Sequence, residues 1–343
     1  MKAARLHRTG EDLRLEMVEI PVLGPNDVLV KIHASGICHS DINYRDGVGK
    51  VDRLPITLGH EIAGVVAEKG EKVREIDVGD RVIIHYVISC GHCRFCMSNR
   101  ETYCEQYQMI GKDVDGGFAE YVRVPATNLL RFPEAMTFDH AAIMGCAVST
   151  ALHALRRGGA KREDTVVVLG AGGLGAHAIQ LSSKILEASN VIAVDLVDEK
   201  LRLASTLGAK GTVNPSKENL VDRIRSIADG FGADVVIDFV GRRTTIENAI
   251  GCAGKGGRIV IVGISPEDLQ VSLYSTIIGK EIQLVGVNDH LKSELRELIE
   301  FVRSGKIDLS TSVTHRVSLE QINHGIQILE KNIGNPLRVV VAQ

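Results

Sequence analysis

The chain of 343 residues contains no tryptophan, and aromatic residues make up only 4% of it. A core built with so few rings depends on Val, Ile, Leu and Ala packing along strands and helices. A charge excess is also missing: 40 Lys and Arg face 43 Asp and Glu, a formal net charge of −3. Without a basic surplus there is no electrostatic case for nucleic acid or an anionic membrane as partner. No apolar run is long enough to span a bilayer. The opening Met1-Lys2-Ala3-Ala4-Arg5 leads straight into strand-like alternation and carries no signal-peptide pattern, so the expected location is cytoplasmic. The seven cysteines are odd in number and clustered, which in that compartment favours metal ligation over a disulfide framework. The length allows about two domains.

What is present centres on Thr165–Asp195. Thr165-Val166-Val167-Val168-Leu169 is an unbroken apolar run of the kind buried on both faces of a parallel sheet. It meets Gly170-Ala171-Gly172-Gly173-Leu174-Gly175, whose glycines let a backbone approach a pyrophosphate at the start of a helix. A second apolar run ends in Asp195, placed to accept hydrogen bonds from a ribose diol. Leu196 and Val197 follow, with no arginine to receive a 2′-phosphate, which favours NAD over NADP. Further strand patterns at Val235–Val240, Arg258–Val262 and Ile282–Val287, separated by helical patterns, predict a doubly wound parallel α/β sheet. Ligands of such sheets sit at the carboxyl ends of strands, where Val240 and Gly263 join the candidate cofactor contacts.

The first half reads as an irregular β-rich domain, with strand patterns such as Val28–His33, Ile62–Glu68 and Arg81–Val87. It carries Gly36-Ile37-Cys38-His39-Ser40-Asp41 and Gly59-His60-Glu61, a mixed soft and hard donor set that favours zinc. Cys90, Cys93, Cys96 and Cys104 lie in a stretch with little apolar content and can wrap one closed, tetrahedral zinc. An iron–sulfur cluster competes, because the first three cysteines share its spacing, but no second set follows. Pro133-Glu134-Ala135 opens a helical pattern through Ala142. Gly145-Cys146 then precedes a helix reaching about Arg157. Cys252 falls in an apolar helical stretch and reads as core.

Together these motifs, in this order, resemble the zinc-dependent medium-chain alcohol dehydrogenases, and the resemblance covers essentially the whole chain. It implies a GroES-like catalytic domain over 1–147 with a zinc-stapled lobe, a Rossmann NAD-binding domain over 148–288, and a return to the catalytic domain over 289–343. It further implies a catalytic zinc on Cys38, His60 and Cys146 with Glu61 nearby or exchanging, and a structural zinc on the four lobe cysteines. Ser40 takes the alcohol proton, Asp41 fixes the tautomer of His60, and Tyr86 lines the substrate. Thr150 packs on the nicotinamide, Lys200 reaches the adenine ribose, and His39 and Arg338 meet the pyrophosphate. Asn43 stands where many relatives end the proton relay in histidine. The expected reaction is reversible hydride transfer between a primary or secondary alcohol and NAD, in a homotetramer or homodimer. Polyol- and threonine-type relatives generally carry glutamate at the position of Cys146. A zinc-free quinone reductase conflicts with Cys38, His60 and Cys146.

Overall fold

The computed structural model describes residues 1–343. The chain forms two compact units, Met1–Ser149 with Asp289–Gln343, and Thr150–Asn288. Val148 and Ser149 thus group with the first unit, although the sequence reading began the nucleotide half at 148.

The second unit is built on six parallel strands. In space they run Gly211–Val213, Asn190–Val194, Thr165–Leu169, Ala233–Asp238, Ala253–Ile261 and Gln283–Gly286. Numbered along the chain this is the order 3-2-1-4-5-6, which reverses direction beside Thr165–Leu169 and opens a crevice at the strand ends. Val166, Val167 and Val168 have no exposed surface, as a strand covered on both faces requires. Helices Gly173–Lys184, Asp198–Thr206, Leu220–Ile227 and Arg243–Cys252 lie in the crossovers. The strand expected over Val235–Val240 stops at Asp238. Its carboxylate accepts the N–H groups of Val240 (2.8 Å) and Gly241 (3.2 Å) and the hydroxyl of Thr245 (2.8 Å), which bends the chain out of the sheet.

The first unit is organised around the long strand Asp27–Ile37. It pairs antiparallel with Glu61–Lys69, Tyr121–Pro125 and Arg338–Ala342. Gly36 faces Glu61 in one register and Ile37 faces Val339 in another. This register brings Cys38, Glu61 and Arg338, far apart in sequence, to one end of the sheet. Val30, Ile32, Ile62, Val82, Ile84 and Val339 belong to the apolar core beneath. Two expected elements differ. The strand over Arg81–Val87 breaks after Ile84 and resumes at Val87–Ile88. The helix expected from Pro133 begins only at Phe138, because the Arg81 guanidinium binds the carbonyls of Glu134 (2.7 Å) and Met136 (2.6 Å) in a turn. Thr137 then caps the helix, its hydroxyl accepting from the His140 N–H at 3.2 Å.

Candidate active site and structural metal lobe

Helix His39–Asp46 starts immediately after Cys38. Asp41, in its first turn, reaches back to the Cys38 N–H with Oδ2 (2.8 Å) and faces His60 Nδ1 with Oδ1 (3.1 Å). One buried carboxylate therefore fixes the start of the helix and the orientation of the imidazole, leaving Nε2 as the metal-facing nitrogen. Cys146 arrives on a π-helical turn, Met144–Val148, in which every residue is buried. Such turns re-aim one side chain within a helix and recur at functional sites. The donor atoms of Cys38, His60, Glu61 and Cys146 all lie within 4.8 Å of one another, and all four residues are buried.

A tetrahedral zinc with bonds of roughly 2.0–2.3 Å separates its ligands by about 3.3–3.8 Å, so a small contraction closes this quartet on one ion. The chemistry agrees: two thiols, an imidazole and a carboxylate are the mixed set zinc takes. Cys38 is held well below the ordinary thiol range, first because Cys146 donates to it, and then, against the opposing effect of burial, because His60 faces it. For Glu61, burial is the largest influence and raises its carboxyl to about 7, with Arg338 acting in the opposite sense.

Glu61 Oε1 accepts from Arg338 Nη2, while Oε2 is buried with no partner. The space that Glu61 occupies exists because residue 36 is glycine: a Cβ there would lie 1.9 Å from Oε2. Arg338 itself is 1% exposed, and its Nε has no hydrogen-bond partner. That unmet donor is one an anion would satisfy. His39 is exposed at the first position of its helix, and Ser40, next to it, is partly exposed.

The lobe is a different construction. The ribbon Val87–Ile88 with Gln108–Met109 closes an excursion in which Cys104 is the one buried residue between Ser89 and Tyr107. The four sulfurs lie within 4.8 Å of one another, with Cys93 and Cys96 3.5 Å apart and Cys90 and Cys96 3.9 Å apart. Backbone N–H groups point at the sulfurs: Cys93 N–H to Cys90 at 3.3 Å, Cys90 N–H to Cys104 at 3.3 Å. Such bonds stabilise thiolates, and with a backbone N–H bond at Cys96 as the largest cause the Cys93 thiol falls to about 6. The set fits a closed structural zinc.

In the second unit, Gly172 precedes helix Gly173–Lys184, and a Cβ built on it meets nothing within 4 Å. Open space at the amino end of a helix is what a dinucleotide phosphate needs. Gly175 serves the opposite purpose, since a Cβ there would strike the Gly170 carbonyl oxygen at 1.8 Å. Leu174 is partly exposed in the same first turn. Asp195 gives one oxygen to the Ala171 N–H (2.8 Å) and the other to the Val197 N–H (2.9 Å), tying the phosphate turn to the strand end. A carboxylate retains acceptor capacity beyond those two bonds, enough for a ribose hydroxyl. Gly241 and Gly263 press together at the ends of two strands, a Cβ on Gly263 falling 2.3 Å from the Gly241 nitrogen, beside the 39%-exposed Val240. Thr150 is buried, and Lys200 is partly exposed on helix Asp198–Thr206. The anchoring by Asp238 escaped the sequence reading; an acid closing an apolar strand before Phe239-Val240-Gly241 was its one visible sign.

The family described as "Alcohol dehydrogenase GroES-like domain" matches residues 24–134, and that described as "Zinc-binding dehydrogenase" matches residues 173–304. An alcohol dehydrogenase of Geobacillus stearothermophilus is 37% identical over 325 residues, 94% of each chain. An NAD-dependent alcohol dehydrogenase of Sulfolobus acidocaldarius is 35% identical over 342 residues, 96% of each chain. The crystal structure of the alcohol dehydrogenase of Aeropyrum pernix superposes with a TM-score of 0.91 at 31% identity, covering 100% of both chains. A six-stranded doubly wound sheet in one unit and two ligand quartets in the other define a metal- and dinucleotide-dependent oxidoreductase. The chain belongs to the zinc-dependent medium-chain dehydrogenase/reductase family.

Proposed function

We propose that the protein is an NAD-dependent alcohol dehydrogenase, interconverting a primary or secondary alcohol and its aldehyde or ketone. The observation carrying this reading is the buried quartet Cys38, His60, Glu61 and Cys146, in which a carboxylate drawn towards an arginine can leave room for a substrate oxygen. Zinc bound there supplies Lewis acidity that makes the alcohol oxygen easier to deprotonate. Cys38, His60 and Cys146 hold the ion, and Asp41 keeps His60 in the tautomer that presents Nε2. Ser40 Oγ accepts the hydroxyl proton; Asn43 cannot titrate, so the proton leaves through solvent, a ribose hydroxyl or His39. Gly170–Gly175 and Asp195 bind the dinucleotide, Arg338 and His39 serve its pyrophosphate, and Thr150, Lys200, Val240 and Gly263 complete its contacts. NAD held by these residues would supply the hydride acceptor for the carbinol carbon.

The reading includes a cytoplasmic location, supported by seven cysteines of which none forms a disulfide, and assembly as a homotetramer or homodimer. Self-association is supported by the edge strand Gln283–Gly286 and the exposed Leu273 (72%), Tyr274 (79%) and Ile278 (62%) on the same unit. Light scattering reads the mass against the 37.1 kDa chain. The activity is tested by following reduced nicotinamide across a panel of alcohols. Oxidation of several short alcohols supports it, and no reduction of NAD by any overturns it. Ser40→Ala is expected to lower turnover by about a hundredfold or more. Unchanged turnover at every pH removes Ser40 from the proton path.

A further inference from the structure

The lobe reaches the wall of the buried quartet through a side chain that neither quartet uses. Glu101 opens the short helical turn Glu101–Tyr103, between the lobe cysteines Cys96 and Cys104. Its Oε1 accepts the backbone N–H of Lys292 at 2.6 Å, a contact between residues 191 positions apart. Lys292 is the first residue of helix Lys292–Arg303. The carboxylate therefore meets a donor that no helical carbonyl can satisfy, at the positive end of the helix dipole. The preceding N–H, that of Leu291, goes to Glu294 Oε2 at 2.9 Å. One acid of the lobe and one of the helix itself thus fasten the helix start.

Two residues before Lys292 stands His290, which has no exposed surface. Its carbonyl accepts from His85 Nε2 at 3.1 Å, and its ring meets Tyr86 edge-on at 5.0 Å. The Tyr86 ring in turn lies edge-on to the metal-binding residue His60, also at 5.0 Å. Tyr86 is 2% exposed, and its carbonyl accepts the Ile110 N–H at 3.0 Å, where the chain returns from the lobe. The contacts close a ring within the first unit: Tyr86, the lobe, Glu101, Lys292, His290 and Tyr86 again. Edge contacts between rings are individually weak, whereas a carboxylate on a backbone N–H is a charge-assisted bond of about twice the ordinary strength. The bond from Glu101 is the firm link that fixes where the weak ones fall.

We propose that Glu101 is a positioning residue for the catalytic site: it holds the start of helix Lys292–Arg303 so that His290 keeps Tyr86 beside His60, where the alcohol packs. This rests on the alcohol dehydrogenase reading and gives the lobe a task beyond holding its own ion.

The test replaces the six tyrosines by fluorotyrosine in the zinc-loaded protein and reads them by fluorine NMR, with Tyr86 assigned through Tyr86→Phe. Glu101→Ala is expected to move the Tyr86 signal and to raise the KM for the alcohol about tenfold, the scale of a lost support around a metal site, with the KM for NAD unchanged. Glu101→Gln, whose amide oxygen still accepts the Lys292 N–H, is expected to restore both. Lys292→Pro deletes the same bond from the other side, since proline has no N–H and suits a first helical position. In that background Glu101→Ala is expected to change nothing further. A merely structural role lowers kcat through loss of active enzyme and leaves the Tyr86 signal and the KM for the alcohol as they are; that result overturns the proposal. So does a shift that Glu101→Gln fails to restore, or loss of the lobe zinc from Glu101→Ala, which makes the acid part of the staple. The fluorine signal needs no substrate. If no alcohol reduces NAD, the alcohol dehydrogenase reading fails, and the Tyr86 shift still decides whether Glu101 places that ring.

Discussion

The two ligand quartets of the first unit use the same thiol chemistry with opposite architecture. The lobe takes Cys90, Cys93, Cys96 and Cys104 from one short excursion, around which only Cys104 is buried. The other quartet takes Cys38, His60, Glu61 and Cys146 from separate elements, all buried, and surrounds them with Asp41, Arg338 and Tyr86. Proximity in sequence suffices where the ion only needs to be held. Chemistry needs an ion with neighbours chosen one by one, and only a folded sheet can assemble them from distant positions.

Replacing a ligand in each quartet separates these roles most strongly. Cys38→Ser is expected to reduce NAD-linked turnover by about a thousandfold or more, several kcal/mol of lost charge stabilisation, while the unfolding temperature changes little. Cys93→Ser is expected to act the other way, lowering the unfolding temperature by several degrees because the lobe has no core to replace its staple. Thermal scans beside steady-state rates check both, and equal effects on both readouts from either variant break the contrast.

The surroundings differ in how protons affect them. Burial lowers the His85 imidazole to about 4, from an ordinary 6.5, in a site where its Nε2 meets the His290 carbonyl at 3.1 Å. Above pH 6.5 the ring is neutral whether folded or unfolded. As pH falls from 6.5 to about 4 the unfolded chain takes a proton that the folded chain refuses, so stability falls, by about 3 kcal/mol in all. Urea titrations across this window are expected to show that loss in the wild type and a flatter profile in His85→Phe. A smaller effect is expected from Asp41→Asn, which keeps the ligands but loosens His60: about tenfold to a hundredfold in metal affinity or turnover, read by competition with a chelator.

Legibility in the sequence follows the same division. The lobe and the phosphate turn are contiguous, so spacing alone displays them, and the apolar runs around Gly170–Gly175 display the sheet. Cys146 stands alone in the chain, and only likeness to a family joined it to Cys38 and His60. Arg338 beside Glu61 depends on the strand Asp27–Ile37 pairing with two others in a particular register, which no local pattern reveals. In the sequence Gly36 only opens the Cys38 motif; its reason lies in the fold, where the Glu61 side chain fills the space a methyl group would take. The helix expected at Pro133 failed for a similar reason, since Arg81, on another strand, holds those carbonyls out of the helix.

The most direct measurement is the zinc content per chain of the wild type, Cys38→Ser and Cys93→Ser, by atomic emission alongside turnover. Two independent sites predict about two ions in the wild type and about one in each variant, with activity gone when the Cys38 site is emptied. A wild type that turns over fully with one ion or none, or a Cys38→Ser protein that still holds two, would contradict the assignment of the buried quartet as the catalytic metal site.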